Sequence, residues 1–108
     1  MNWTRLHELR AEVGEDAFGE ILDLFLSETD EKVAALRADP SFESLKADMH
    51  FLKGAALNLG FDDLVEKCQC AETLAREGRP GAVDLDAILA CYDMCRSELS
   101  QARATLET

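Results

Sequence analysis

The sequence has few of the residues that break helices or build β-sheets. Its 108 residues include only two prolines and six glycines, and aromatic residues make up 6%. β-Branched and aromatic residues never alternate with polar ones at a period of two, which argues against a sheet protein. Apolar residues nevertheless reach 47%, and the good helix formers leucine, alanine and glutamate are common. We therefore predict a packed, all-α protein.

A long apolar run and an excess of positive charge are also missing. No stretch approaches the roughly 20 apolar residues of a transmembrane helix, and the first ten residues lack the apolar segment of a secretory signal. We therefore expect a cytoplasmic protein without a membrane partner. The net charge of −11 repels the phosphates of nucleic acid, so no nucleic-acid partner is expected. The acidic surface suits a partner with a basic docking face, or solubility alone.

The four cysteines, Cys68, Cys70, Cys91 and Cys95, favour neither a disulfide framework nor a metal site. Structural disulfides belong to secreted proteins, which this chain does not resemble. On a helix, the thiols of Cys68 and Cys70 point about 200° apart, which is poor geometry for one zinc ion. We predict reduced, mostly buried cysteines that pack as small apolar residues, and no metal site.

Turn signals divide the chain into five predicted helices. Pro40 follows Asp39 as a first-turn proline, Gly60 is a C-terminal glycine, and Asp62 and Asp84 are candidate N-caps. The breaker "EGRPG" separates the last two helices. The predicted ranges are about 4–11, 16–38, 40–59, 62–77 and from 84 onward.

The apolar spacing of the long helices predicts how they pack. The last helix carries a nearly unbroken heptad stripe: Leu85, Ile88, Tyr92, Cys95, Leu99, Ala102 and Leu106. Four long helices joined by short turns predict an antiparallel up-and-down four-helix bundle, with the short first helix covering one end. Residues 1–108 form a single domain of ordinary size. We expect a monomer, because such a bundle can bury its own stripes.

The third helix presents an unusual outward face. Its predicted core stripe consists of Leu45, Leu52, Ala55, Ala56 and Leu59. His50 lies nearly opposite this stripe, with Lys46 and Lys53 on either side and Gly54 one turn further on. Asp48 falls near the core side, which the helical wheel does not explain.

These side chains together suit an added phosphoryl group. A neutral imidazole nitrogen is a good nucleophile near pH 7, and Lys46 and Lys53 could offset the charge of a phosphate. Gly54 costs a helix interior about 1 kcal/mol relative to alanine, and on this face it leaves room beside the imidazole. The alternatives are an ordinary surface histidine, solvated lysines, and a glycine required by close helix packing.

An imidazole nucleophile also needs a partner for its other nitrogen. Glu72 lies at the flank of the apolar stripe of the fourth helix, which should pack antiparallel to the third. It is our candidate for the group that accepts a hydrogen bond from Nδ1 and orients His50. Spacing alone equally allows Glu72 to be a surface residue paired with Arg76, four residues later.

The stretch "HFLKGAALNLGFDDLVEKCQCAE" resembles the signature of histidine-containing phosphotransfer (HPt) domains of two-component phosphorelays. The similarity is close over residues 46–72 and looser elsewhere. Met49 and Ala55 depart mildly from the usual alanine and serine. The matching positions are His50, Leu52, Lys53, Gly54, Ala55, Ala56, Gly60, Leu64, Cys68 and Glu72.

The resemblance implies a role for each of these functional positions. His50 is the expected phosphoacceptor through Nε2, Lys53 the group that stabilises the phosphoryl group, and Lys46 a second basic residue beside it. Gly54 is expected to give access, and Glu72 to hydrogen-bond the histidine. Leu57 and Phe51, which lie close to His50 on the helix, are candidate docking residues for a partner.

The resemblance also implies the partners. The chain is expected to carry a phosphoryl group between a sensor histidine kinase or hybrid kinase, or a receiver aspartate, and the receiver domain of a response regulator. It has no nucleotide-binding loop, so we expect a phosphocarrier without its own cofactor, and Mg²⁺ should come from the receiver. The alternatives are a non-phosphorylated helical adaptor that blocks a kinase or regulator, and a metal site formed by His50 and cysteines. His7 has no comparable neighbours, and we predict no role for it.

Overall fold

The computed structural model describes residues 1–41 and 43–106, with side chains as far as residue 104. The described part is helical, without a β-strand. A single 3₁₀ turn, Pro80–Ala82, lies between the last two helices. The five α-helices are α1 Trp3–Val13, α2 Glu15–Ala38, α3 Leu45–Leu59, α4 Asp62–Arg76 and α5 Leu85–Leu106.

The four long helices form the predicted antiparallel bundle. Along α3 and α4 the contacts run in opposite directions, since His50 meets Glu72 and Lys53 meets Gln69. The most extensive packing in the bundle is between these two helices. Helix α1 packs against α2 and α3, where it covers one end of the bundle as expected.

Helices α2 and α5 are joined by a polar cluster at their interface. Arg96 donates through Nε and Nη2 to the two carboxylate oxygens of Asp30, at 3.2 and 3.1 Å. The buried Tyr92 hydroxyl donates to the same carboxylate. Burial and the neighbouring Asp30 raise the pKa of Tyr92, so the phenol stays a donor at neutral pH.

The core contains most of the predicted apolar stripes. On α5, Ile88, Tyr92, Cys95 and Leu99 are buried, which confirms the heptad pattern, although Leu106 lies outside the residues whose side chains are described. On α3, the predicted core residues are buried except for Ala55, which is half-buried. Met49, which the helical wheel did not place in the core, is fully buried between Leu45 and Leu52 along the chain. Since leucine dominates this interior, the hydrophobic effect supplies most of the drive for the bundle.

The predicted start of α3 at Pro40 is wrong. The helix begins five residues later, at Leu45, which is also its first buried residue. Residues 39–41, 43 and 44 are exposed. Because a short helical segment is costly to nucleate without burial of an apolar face, this stretch remains outside the helix.

The helix ends confirm two of the predicted signals and correct a third. Asp84 accepts a hydrogen bond from the backbone N–H of Ala87 at 3.1 Å, and Gly60 ends α3 with a φ of 74°. The prediction that Asp62 caps α4 is wrong, because the buried Phe61 occupies the cap position. Asp62 instead lies in the first turn, where the helix dipole favours a carboxylate.

The four cysteines lie in three environments, buried, half-buried and exposed. Cys68 and Cys95 are buried, as predicted, and burial raises the pKa of each thiol to about 12. Cys91 is half-buried. Cys70 is exposed, because it projects from α4 away from the stripe that Cys68 shares. The buried thiols are therefore packing residues of low reactivity.

Candidate functional site

The imidazole of His50 stands in the middle of α3, on the face opposite the core. Its side chain is 70% exposed, and Nδ1 lies 3.1 Å from Oε1 of Glu72 on α4. One ring nitrogen is thus occupied by the protein, while the other, Nε2, lies on the exposed side. This arrangement fixes the ring by a single contact and leaves its outer edge accessible.

Glu72 is a nearly buried carboxylate with two cationic side chains beside it, Lys53 and Arg76. Its side chain is 7% exposed because it flanks the buried stripe of Leu64, Cys68 and Ala71 on α4. Lys53 Nζ lies 2.7 Å from Oε2, and Arg76 Nη2 lies 3.6 Å from Oε1. A buried carboxylate requires such partners. The structure thus brings Glu72 to His50 and also pairs it with Arg76, but Glu72 is nearly buried and is not the surface residue of the alternative.

The charge state of Glu72 follows from these contacts. The hydrogen bond from Lys53 lowers the pKa of Glu72, which outweighs the opposite effect of burial, and the contact with His50 lowers it further. The carboxylate is therefore ionised at neutral pH and can only accept a hydrogen bond. It selects the His50 tautomer with the proton on Nδ1, so that the lone pair of Nε2 faces outward.

The side chain of Lys53 points toward the carboxylate of Glu72. Its ammonium contacts Glu72 and also lies 3.1 Å from Oε1 of Gln69. Gln69 in turn is within 3.4 Å of the Thr73 hydroxyl. Sequence reasoning missed Gln69, although its position three residues before Glu72 places it on the same face of α4. Lys53 therefore acts on the histidine through Glu72 in this conformation.

Gly54 is open to solvent. A Cβ atom built on it has no neighbour within 4 Å, so close helix packing does not account for this glycine. Its effect is to leave the surface one turn beyond His50 bare. The contrast is Gly60, where a Cβ would lie 2.6 Å from the backbone oxygen of Asn2.

Lys46 lies one turn before His50 and is exposed. Within the part of the chain that the structure describes, it takes part in no hydrogen bond or ion pair. Its ammonium is therefore available beside the exposed edge of the imidazole.

Comparison with known proteins decides the family. The family model described as Hpt domain matches residues 20–105. The chain belongs to the Hpt domain family. The phosphorelay protein LuxU of Vibrio harveyi is 33% identical over 79 residues, which cover 70% of this chain and 69% of LuxU. No solved structure matches the chain significantly. The resemblance noted in the sequence is confirmed, and this Hpt domain is a phosphotransfer protein of two-component signalling.

The Hpt domain presents two large apolar side chains near the histidine. Leu57 is 52% exposed and Phe51 is 40% exposed. Lys32 of α2 lies over the ring of Phe51, with Nζ 5.5 Å from the ring centroid. A shallow groove between α2 and α3 starts at His50 and Phe51. It is lined further by Phe25, Glu28, Thr29, Gly54, Ala55 and Asn58.

Among the residues that the structure describes, no three side chains of His, Cys, Asp or Glu are grouped so that they could hold a metal ion. Over the same residues, no helix combines the length and apolar character needed to cross a membrane.

Proposed function

We propose that this Hpt domain carries a phosphoryl group on Nε2 of His50. The donor is a histidine kinase, a hybrid kinase or the phosphorylated aspartate of a receiver domain. The acceptor is an aspartate of a response-regulator receiver domain. The observation that carries the proposal is the exposed imidazole whose Nδ1 lies 3.1 Å from the ionised, nearly buried Glu72.

The chemistry follows from this geometry. The lone pair of Nε2 attacks the phosphorus of the aspartyl phosphate, a P–N bond forms, and the P–O bond to the receiver carboxylate breaks. The carboxylate leaves with the bonding electrons. The proton stays on Nδ1, so the ring gains positive charge as the P–N bond forms. The negative charge of Glu72 at 3.1 Å stabilises that ring, which lowers the barrier electrostatically.

The neighbouring residues divide the remaining tasks. Lys46, whose ammonium has no partner among the described residues, offsets the charge of the incoming phosphoryl group. Lys53 keeps Glu72 ionised and in place. Gly54 leaves the approach to Nε2 free of side chains, and Leu57 and Phe51 contact the receiver domain on either side of that approach.

The chain is a carrier in this proposal. Its sequence has no glycine-rich nucleotide loop, so ATP is used by the kinase that supplies the phosphoryl group. Mg²⁺ is supplied by the aspartate site of the receiver, where it neutralises the transferring group. Positioning and charge neutralisation, shared between the two proteins, account for catalysis of the transfer.

Transfer of labelled phosphate tests the proposal. The purified protein is mixed with a panel of phosphorylated receiver domains and Mg²⁺, beside the variant His50→Gln. His7→Gln is the matched control, because His7 is exposed on α1 and lies outside the site. We expect acid-labile, base-stable label on the wild type and on His7→Gln, and none on His50→Gln. Equal label on His50→Gln, or binding of receivers without any transfer, overturns the proposal, and the latter result indicates an adaptor.

A further inference from the structure

Asp48 is a buried charge that the transfer chemistry does not use. It is 8% exposed on the core side of α3, which is the position that the helical wheel could not explain. Its Oδ1 accepts a hydrogen bond from Lys32 Nζ at 3.1 Å, and its Oδ2 accepts one from the Ser44 hydroxyl at 3.0 Å. A charge removed from water in this way is stable only with such partners.

Lys32 reaches across to α3 although acidic residues are available on its own helix. Glu28 precedes it by four residues on α2, the spacing at which helical Glu–Lys pairs usually form, and Glu31 is adjacent. Both glutamates are exposed, whereas the Lys32 ammonium contacts Asp48. The interhelical pair thus fixes one end of the lysine at the α2–α3 interface.

The same ammonium fixes the ring of Phe51. Lys32 Nζ lies 5.5 Å from the ring centroid, within the distance at which a cation attracts an aromatic face. Phe51 follows His50 directly, and its ring separates two shallow grooves on the α2–α3 surface. One groove also contains His50 and Gly54, and the other contains Glu31 and Ala35. The position of the ring therefore defines the shape of the surface next to the histidine.

We propose that Lys32, anchored by Asp48, is a positioning residue that holds Phe51 in place for docking of the receiver domain. This inference rests on the proposed function and adds a partner-binding element to it. Lys32 and Asp48 contact neither His50 nor Glu72, so we expect them to change the affinity for the receiver domain. They leave the rate of transfer within the docked complex unchanged.

The first experiment needs no partner. Protons on the Lys32 side-chain carbon next to the ammonium lie near an aromatic face, so their NMR signal is shifted by the ring current of Phe51. We expect this shift to disappear in Phe51→Leu and to shrink in Asp48→Asn, while His50→Gln leaves it unchanged. A Lys32 signal at the position of an ordinary exposed lysine in the wild type overturns the positioning role, whether or not His50 is phosphorylated.

The second experiment measures transfer from the receiver domain that reacts fastest in the panel. For Lys32→Met we expect KM to rise about two- to fivefold, the size of a surface cation–π contact, with an unchanged maximal rate. Lys32→Arg should restore KM. Lys67→Met is the matched control, because Lys67 is an exposed lysine of α4 away from this surface. An unchanged KM for Lys32→Met, or the same rise for Lys67→Met, overturns the inference.

A double variant separates positioning from general destabilisation. If Lys32 acts through the ring, Lys32→Met has no further effect on KM in the Phe51→Leu background. An undiminished effect in that background overturns the inference. Should Lys32→Met unfold because it leaves Asp48 unpaired, Lys32→Met combined with Asp48→Asn removes the buried charge and allows the same comparison. Loss of transfer in every variant and in the wild type contradicts the proposed function, while the NMR experiment still decides the positioning role.

Discussion

The ammonium of Lys53 lies 2.7 Å from Oε2 of Glu72. The lysine that follows His50 by three residues is thus the counter-ion of the carboxylate that contacts the imidazole. Burial raises the pKa of a carboxyl group, and the hydrogen bond from Lys53 is the largest effect that lowers the pKa of Glu72. Lys53 therefore controls the tautomer of His50 through Glu72, which is a different task from direct contact with a phosphoryl group.

Lys53→Met should raise the pKa of Glu72. The lysine is the largest cause that lowers this pKa, and burial, which raises it, remains when the ammonium is removed. NMR titration of the Glu72 side-chain carboxyl measures the change. Lys46→Met is the control, because Lys46 does not contact Glu72, and it should leave the titration unchanged. Identical titrations for the wild type and Lys53→Met would contradict the assigned role of Lys53.

Glu72 should also make the stability of the fold depend on pH. Its pKa in the folded protein is below the ordinary value of 4.5, so the ionised form stabilises the native state above that pH. This contribution is lost as the pH falls through 4.5 and then through the lower folded pKa. We expect Glu72→Gln to be less stable than the wild type in urea at pH 7, and the difference to shrink steadily as the pH falls below 4.5. A difference that persists unchanged in acid would rule this out.

Gly54 within α3 and Gly60, which follows its last residue, should respond to alanine in opposite directions. Gly54→Ala should raise the free energy of unfolding by about 1 kcal/mol, because the new Cβ meets open space. Gly60→Ala should lower it, because φ is 74° and the new Cβ would lie 2.6 Å from the Asn2 oxygen. Chemical denaturation of both variants measures the two effects. Destabilisation by Gly54→Ala would mean that the glycine is required by the fold and not by access to His50.

Leu57→Asp should weaken binding of the receiver domain without unfolding the bundle. The side chain is 52% exposed, so the fold loses little, whereas a charge at an apolar contact must be desolvated on docking. Calorimetric titration with the receiver, together with a thermal melt, measures both. Met94→Asp is the matched control, because Met94 is 67% exposed on α5, away from His50. Equal weakening by the two variants would remove Leu57 from the docking surface.

Local patterns were sufficient to predict the helices and the exposed face of α3. The spacing of Leu52, Ala56 and Leu59 determines which side of α3 is buried, and His50 follows as an outward residue from the same period. Gly60 ends α3 because glycine readily adopts a positive φ. Asp84 precedes α5 because its carboxylate accepts a hydrogen bond from a free N–H of the first turn. These features depend on residues within one or two turns of each other, which is why sequence alone was adequate.

The remaining features depend on the alignment of neighbouring helices. The partner of Asp48 is Lys32, sixteen residues earlier on another helix, and no periodicity within α3 indicates it. Likewise, Gln69 contacts Lys53 only because the antiparallel α4 is aligned along α3 so that these two residues lie opposite each other. The start of α3 also depends on neighbouring helices. The helix begins at Leu45, its first buried residue, and not at Pro40, where the local sequence predicted it.

The 70% exposure of the His50 side chain has a consequence for the lifetime of the signal. Glu72 holds the ring from one side, and among the residues that the structure describes the outer edge of the ring stays open to water. If the domain carries a phosphoryl group on this ring, as proposed, water can reach that group and hydrolyse the P–N bond. In that case the phosphoryl group reaches the acceptor only if the domain meets its partner faster than the phosphohistidine hydrolyses.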